Sequence, residues 1–354
     1  MSVGVTMRSR LLAAVCIAGL AFAAISTSAG ADTSIATTRN PTGIRAWGGV
    51  AAFSLFDEAS GTYRLAISRN GGPPEILAVA AQATPFDVDV GPDKAGSPAL
   101  VYSRCGSPGP PPRRCDLYRY SLSRAAERKL LGPSTLRGSE TAPTIWRTRV
   151  AWARLPDAGA TRTPRIYTRT LSARRSRPSR RLPGARLCGR DGCTVNELEL
   201  RGRWLALNVG YPGSVCPDGL IQLDSLAGRA IRVAEQSCGL SGRRFVGVSF
   251  DAHNLYFARF CEGGCDPGER VGAFRYSLTS ARFLLARVND RLTGFSYDAG
   301  GRAYEVVARE NSNGYCGNTA DDIPPGAPPL PVCEALLTDP LDFTRTRAPF
   351  HPRR

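Results

Sequence analysis

A strand-like phrase returns through this chain at an interval of about 50 residues, the signature of an array of small sheets. It reads Val50-Ala51-Ala52-Phe53-Ser54, then Leu100-Val101-Tyr102-Ser103-Arg104, then Val150-Ala151-Trp152-Ala153-Arg154. It comes back as Trp204-Leu205-Ala206-Leu207-Asn208, Leu255-Tyr256-Phe257-Ala258-Arg259 and Tyr304-Glu305-Val306-Val307-Ala308-Arg309. With Phe53, Tyr102, Trp152, Ala206, Phe257 and Val307 set equivalent, the steps are 49, 50, 54, 51 and 50 residues. A fixed period of this length, with several short strands per unit, specifies a β-propeller, because each small sheet can bury its faces only against its neighbours. Six phrases predict six blades, each a four-stranded antiparallel meander in an all-β chain.

The repeated phrase is the second strand of each blade. A third strand follows, as in Tyr63-Arg64-Leu65-Ala66-Ile67, Leu117-Tyr118-Arg119-Tyr120-Ser121-Leu122 and Ala273-Phe274-Arg275-Tyr276-Ser277-Leu278. Its alternation of apolar and polar residues suits a strand packed on a neighbouring blade. Innermost strands are expected before each phrase, at Ile44 to Trp47, Phe86 to Val90, Thr144 to Trp146, Glu197 to Leu200, Val246 to Phe250 and Gly294 to Tyr297. The outer strand of the sixth blade comes from residues 341–346 or from residues 33–38, and either choice would close the ring and remove a free edge.

Val88-Asp89-Val90-Gly91-Pro92-Asp93 before Leu100-Val101-Tyr102, followed by Asp116-Leu117-Tyr118-Arg119-Tyr120, resembles the TolB-like, WD-repeat-related propellers of exported proteins. Weaker echoes are Val248-Ser249-Phe250-Asp251 with Leu255-Tyr256-Phe257, and Phe295-Ser296-Tyr297-Asp298 with Ala303-Tyr304. The Ser-Pro-Asp-Gly turn of that family is degraded in every blade. The resemblance therefore implies the architecture and carries over no functional residue.

Residues 1–31 read as a cleaved secretory signal. Arg8 and Arg10 precede an apolar stretch from Leu11 to Ile25, and Ala29-Gly30-Ala31 supplies small residues before Asp32. The apolar run falls short of the roughly 18–20 residues of a spanning helix, so no transmembrane segment is expected. Residues 32–346 then form one propeller, and 347–354 a basic tail. The expected product is a secreted or extracytoplasmic monomer.

Ten cysteines remain after the signal. An even number in an exported chain reads as a disulfide set rather than a metal site, since no C-x-x-C pair exists and His253 and His351 are the only histidines. The pairing expected from adjacency along the chain is Cys105–Cys115, Cys188–Cys193, Cys216–Cys238, Cys261–Cys265 and Cys316–Cys333. All ten map to second-to-third-strand loops or blade connections, on one face of the disc.

The other face carries the short hairpin turns and much of the positive charge. The formal net charge is +16, and +14 once Arg8 and Arg10 leave. Arg147, Arg149, Arg201, Arg203 and Arg302 map to this face, as does the run Arg174, Arg175, Arg177, Arg180 and Arg181. Guanidinium groups pair bidentately with phosphate and carboxylate, so the face suits an anionic polymer of the cell envelope or a protein partner. Export argues against nucleic acid as the physiological ligand.

Motifs for catalysis are missing: there is no H-E-x-x-H, no G-x-S-x-G and no phosphate-cradling glycine loop. Gly247-Val248-Ser249-Phe250-Asp251 imitates a nucleophile elbow only in part, on an innermost strand. Paired carboxylates on innermost strands, Asp87 with Asp89 and Glu197 with Glu199, are expected to face the central channel. There they serve interblade hydrogen bonds, acid–base work or a weak calcium site. No cofactor is implied otherwise. The reading is thus a non-catalytic binding or scaffold module, with the alternative of a propeller hydrolase, lyase or quinoprotein-like oxidoreductase working at the channel mouth.

Overall fold

A computed structural model describes residues 32–38, 42–107, 113–130, 138–155, 164–171, 180–182, 192–211, 218–236, 243–261, 271–288, 292–308, 333–338 and 340–345. All fall in the unit Ala31–Arg354. The stretch 1–31 read as a signal and the tail 347–354 lie outside them.

The first strand, β1 (Thr33–Thr38), precedes the six blades. Blade 1 is β2 (Ile44–Trp47), β3 (Val50–Asp57), β4 (Thr62–Arg69) and β5 (Glu75–Ile76). Blade 2 is β6 (Asp87–Pro92), β7 (Pro98–Ser107), β8 (Arg113–Ser121) and β9 (Ala126–Lys129). Blade 3 is β10 (Ser139–Trp146), β11 (Arg149–Leu155), β12 (Arg165–Thr170) and β13 (Arg180–Arg181). Blade 4 is β14 (Thr194–Arg201), β15 (Trp204–Tyr211), β16 (Asp218–Ser225) and β17 (Ala230–Gln236). Blade 5 is β18 (Arg243–Phe250), β19 (Asn254–Cys261), β20 (Gly272–Ser277) and β21 (Phe283–Ala286). Blade 6 is β22 (Leu292–Tyr297), β23 (Ala303–Ala308) and β24 (Cys333–Thr338), with β1 as its outer strand. The chain is a six-bladed propeller of antiparallel blades, as the repeat predicts.

Innermost strands touch in ring order, β2 with β6, β6 with β10, β10 with β14, β14 with β18, β18 with β22, and β22 back to β2. They come so close that glycine is required at two points. A Cβ on Gly91 would stand 2.1 Å from the Ile145 carbonyl oxygen, and one on Gly247, at φ +67°, 2.0 Å from that of Phe295.

Six hydrophobic clusters fill the six gaps between blades. Second strands bury both faces, which is why they read as continuous apolar runs. In blade 1, Ala52 faces blade 2 and Phe53 faces blade 6, both fully buried. Tyr102, Trp152 and Phe257 repeat the Phe53 placement. The strand pairing corrects two of the equivalences. Leu207, not Ala206, faces the preceding blade in blade 4, and Glu305, not Val307, holds the matching register in blade 6.

The polar residue after the aromatic one also has a cause. Ser54 Oγ accepts from Phe86 N at 2.8 Å, Ser103 Oγ donates to Glu140 O at 2.8 Å, and Asn208 Nδ2 donates to Phe245 O at 3.1 Å. Each bond ties a second strand to the next blade.

The open choice of closing strand resolves in favour of the amino terminus. Thr33–Thr38 pairs with Cys333–Thr338 along its length, and Ile35 enters the cluster between blades 6 and 1. The competing carboxy-terminal segment forms β25 (Thr344–Arg345), a fifth strand on blade 5, while Leu341 and Phe343 pack on the cluster between blades 5 and 6.

Cys105 and Cys115 are bonded to each other across a directly opposed strand pair. Cys193 and Cys333 each belong to a separate disulfide whose other cysteine lies outside the described residues. Cys188, Cys216, Cys238, Cys265, Cys316 and the side chain of Cys261 lie outside the described residues.

Removing residues 32–38 should be far more damaging than removing 342–354. The first deletion takes Ile35 from the core, about 1.5–3 kcal/mol, together with a row of ladder bonds of about 1 kcal/mol each. Among the described residues the second removes one two-residue pairing and the packing of Phe343. Urea midpoints of the two truncated proteins test this, and equal losses would contradict the assignment of the closing strand.

Candidate functional site

One position in each innermost strand faces the axis at the same level. Pairing with the second strands places Arg45, Asp89, Thr144, Glu199, Ser249 and Ser296 there, opposite Ala52, Val101, Ala151, Ala206, Tyr256 and Tyr304. Four of them accept a hydrogen bond from the next blade. Asp89 Oδ2 accepts from Ile145 N, Thr144 Oγ1 from Leu200 N, Ser249 Oγ from Tyr297 N and Ser296 Oγ from Ala46 N, all at 2.9 Å. Ser249, the centre of the partial nucleophile elbow, is thereby a buried interblade acceptor.

The remaining two positions are Arg45 and Glu199, an ion pair at 4.0 Å between blades 1 and 4. Arg45 reaches across the axis, donating from Nη2 to Leu198 O at 3.0 Å and from Nη1 to Val248 O at 2.5 Å. Its side chain is 7 % exposed and that of Glu199 12 %.

All four carboxylates expected at the channel surround this guanidinium. Burial alone would lower the pKa of Arg45, yet Glu197, Glu199, Asp89 and Asp87 together hold it above the ordinary arginine value. Burial pushes Asp87 up to about 6, against the pull of the Ala142 N–H and Arg45. Burial raises Asp89 too, while Arg45 and the Ile145 N–H oppose it. Glu199 is raised well above the carboxylate range, by burial first and the Asp89 charge second, while Arg45 opposes both. Glu197 accepts from Asn208 Nδ2 at 3.1 Å. These acids fasten strands and hold a cation, and among the described residues no cluster of acids, cysteines and histidines has the arrangement of a metal site.

Sequence reasoning missed Arg45, whose signal is a lone charge inside the apolar run Ile44-Arg45-Ala46. It also missed Glu140, fully buried at the start of β10. Arg154 donates to Glu140 Oε1 from Nη2 at 2.9 Å and from Nε at 3.1 Å, leaving Oε2 with no hydrogen-bond partner among the described residues. Burial outweighs the guanidinium and pushes Glu140 up to about 8.

The short-turn edge is the second region. Inner and outer hairpins of a blade meet there: Asn70 N donates to Gly49 O, Leu171 N to Thr148 O, Leu226 N to Arg203 O and Leu278 N to His253 O. Lys94, Arg124, Arg147, Arg203, Arg229, Arg282 and Arg302 are exposed in these turns. The acids of the inner hairpins are engaged by the turns themselves. Asp93 accepts from Ala95 N and Ser97 N, and Asp251 from His253 N and Asn254 N. Asp298 of blade 6 accepts from Gly48 N at 2.8 Å and Gly49 N at 2.7 Å of blade 1.

The expected basic residues do not all stand alike. Arg147, Arg203 and Arg302 are exposed on this edge, and Arg149 is partly buried. Arg201 is half-buried, stacked 4.8 Å from the Trp146 ring centroid and donating to Phe250 O at 2.8 Å, so it braces blades 3, 4 and 5. Arg180 and Arg181 form the outer strand of blade 3 rather than a turn. Arg174, Arg175 and Arg177 lie outside the described residues.

No family model and no curated protein matches the chain. Solved structures do. TolB from Acinetobacter baumannii is similar at a TM-score of 0.50 and 12% identity, covering 84% of this chain and 65% of its own. The chain thus spans just under two thirds of that protein. An oligogalacturonate lyase from Vibrio parahaemolyticus gives a TM-score of 0.48 at 10% identity, covering 79% and 73%. A protein of unknown function from Dyadobacter fermentans gives 0.45 at 12%, covering 87% and 98%. The likeness to TolB is one of architecture alone, the six-bladed β-propeller.

Replacing Arg45 with Met should destabilise the protein by about 3–5 kcal/mol at pH 8, because it leaves buried carboxylates uncompensated. The loss should shrink at pH 5, where the unbalanced acids can take up protons. Denaturant midpoints at both values test this, and a gap independent of pH would refute it.

Glu140 makes a separate prediction. Its folded-state pKa of about 8 lies above the ordinary 4.5, so the folded protein keeps a proton that the unfolded chain has lost. Its contribution to stability therefore falls as pH rises from 4.5 towards 8, then levels off. Glu140→Gln should gain stability relative to the parent between pH 6 and 9. A constant difference across that window would show that Glu140 is ionised in the fold.

Proposed function

We propose that this protein is an exported, disulfide-stapled propeller that acts as a non-catalytic binding or scaffold module at the cell envelope, with its short-turn edge facing an anionic polymer or an acidic protein partner. The observation that carries the reading is the charge asymmetry of that edge. Seven cations stand exposed in the turns, while Asp93, Asp251 and Asp298 beside them are held by backbone N–H groups. Short, hydrogen-bonded turns fix the starting points of the arginines, so less order has to be imposed when they meet a ligand.

Export is supported by the signal-like residues 1–31 and by the Cys105–Cys115 bond, which fits an oxidising compartment. Among the described residues no helix is long and apolar enough to cross a membrane. A catalytic site at the channel is the weaker reading. Asp87, Asp89 and Glu197 are engaged in strand-to-strand bonds, and Arg45 lies across the axis beside Glu199.

Binding by charge should weaken with salt, because the screening length falls from about 10 Å at 0.1 M to about 3 Å at 1 M. Co-sedimentation with purified anionic cell-wall polymer should show retention that declines across this range. It should decline further in a variant with Arg124, Arg229, Arg282 and Arg302 changed to Ser, whose thermal midpoint should hardly move. Retention indifferent to salt, or equal for both proteins, would overturn the reading.

A further inference from the structure

Three of the four tryptophans bracket first hairpins on the basic edge: Trp47 in blade 1, Trp146 in blade 3 and Trp204 in blade 4. All three are partly buried, whereas Trp152 is fully enclosed between blades 2 and 3. Each of the three thus rests one part of its indole on an interblade cluster and leaves another at the surface.

In the adjacent blades 3 and 4 the indole comes with exposed arginine. Arg147 follows Trp146 directly, at φ 55°, with its N–H bonded to Pro92 O at 2.6 Å. Arg203 precedes Trp204, with its guanidinium carbon 5.1 Å from that ring's centroid. Trp146 is in turn fixed by Arg201, which stacks on it and is anchored on Phe250 O. Each hairpin therefore carries a partly buried indole with an arginine over its ring, Arg201 on Trp146 and Arg203 on Trp204, and an exposed arginine in its turn, Arg147 and Arg203.

That pair suits a particular kind of anion. A guanidinium held by a turn or an aromatic ring offers its fork of donors to a carboxylate with little freedom left to lose. An indole edge needs an apolar surface to cover it, which the C–H face of a sugar ring supplies and a phosphate chain does not. Two like subsites one blade apart match a ligand that repeats its own unit. We propose that the hairpins of blades 3 and 4 form a two-subsite recognition point for a carboxylated polysaccharide, with Arg147 and Arg203 taking carboxylates and Trp146 and Trp204 taking ring faces. The proposal rests on the polyanion reading of this edge and narrows it to one class of polymer.

The test is titration, followed by tryptophan fluorescence and calorimetry at one fixed salt concentration. The probes are an oligosaccharide of uronic acids, the same oligosaccharide with its carboxyls reduced to alcohols, and polyphosphate of matched charge. The uronate should bind about tenfold tighter than polyphosphate, a difference of about 1.4 kcal/mol, and the reduced form should not bind. Arg147→Ser with Arg203→Ser should lower uronate affinity at least about tenfold, the loss of one such step or more. Trp204→Leu should weaken uronate and leave polyphosphate unchanged. If that variant does not fold, Trp204→Phe and the double arginine variant decide in its place. Equal affinity for uronate and polyphosphate, or uronate affinity untouched by these variants, would overturn the proposal while leaving charge-driven binding intact. Failure of every polyanion to bind would overturn both.

Discussion

A ring of separate sheets has to be held shut, and in this protein the holding is done at the axis. Each blade packs on its neighbours through an apolar cluster, which is strong but not directional. Direction comes from one residue per innermost strand. Four of these six accept the same hydrogen bond from the following blade, and the other two, Arg45 and Glu199, meet as an ion pair. Arg45 then reaches the carbonyls of blades 4 and 5 from blade 1. A single guanidinium thus links parts of the ring that apolar packing between neighbours leaves unconnected. The surrounding acids follow from that choice, because a buried cation without carboxylates would be prohibitively costly.

Most of the fold was legible in the sequence because its period comes from a local pattern. Each second strand must be apolar on both faces, and its aromatic-then-polar ending reflects one contact with the preceding blade and one hydrogen bond to the next. Ser54, Ser103 and Asn208 show the second half of that rule. Register was less legible. Ala206 and Leu207 are both apolar, and only the pairing reveals which of them faces blade 3. Likewise Thr33–Thr38 and the stretch ending at Arg345 are both short and strand-like. What separates them is Ile35 filling the gap between blades 6 and 1, a long-range contact that no local pattern announces.

The candidate site was legible only in part, for a physical reason. Carboxylates on innermost strands stand out in the sequence, and Asp87, Asp89, Glu197 and Glu199 all act on the Arg45 guanidinium. The cation that gives them their role does not stand out, since a lone arginine ordinarily marks a solvated position. The basic edge shows the opposite error. Arg201 belongs to the same turn as Arg203 and has the same chemistry, yet Trp146 and Phe250 O engage it. Sequence places both residues on one edge and cannot tell the brace from the exposed group.

These two regions divide the charge of the molecule between incompatible tasks. At the axis, charges are buried, paired and directed into the fold, so any ligand there would have to displace bonds that keep the ring closed. In the turns, the acids are the groups fixed by backbone N–H donors and the arginines are the groups left at the surface. Asp298 makes the contrast clear: both of its carboxylate oxygens join the Gly48-Gly49 turn of blade 1 to blade 6. Ring closure therefore directs a carboxylate into the fold on the very edge where guanidinium groups stand exposed. The acids of that edge work between turns and blades, while its exposed arginines are the groups a ligand would meet first.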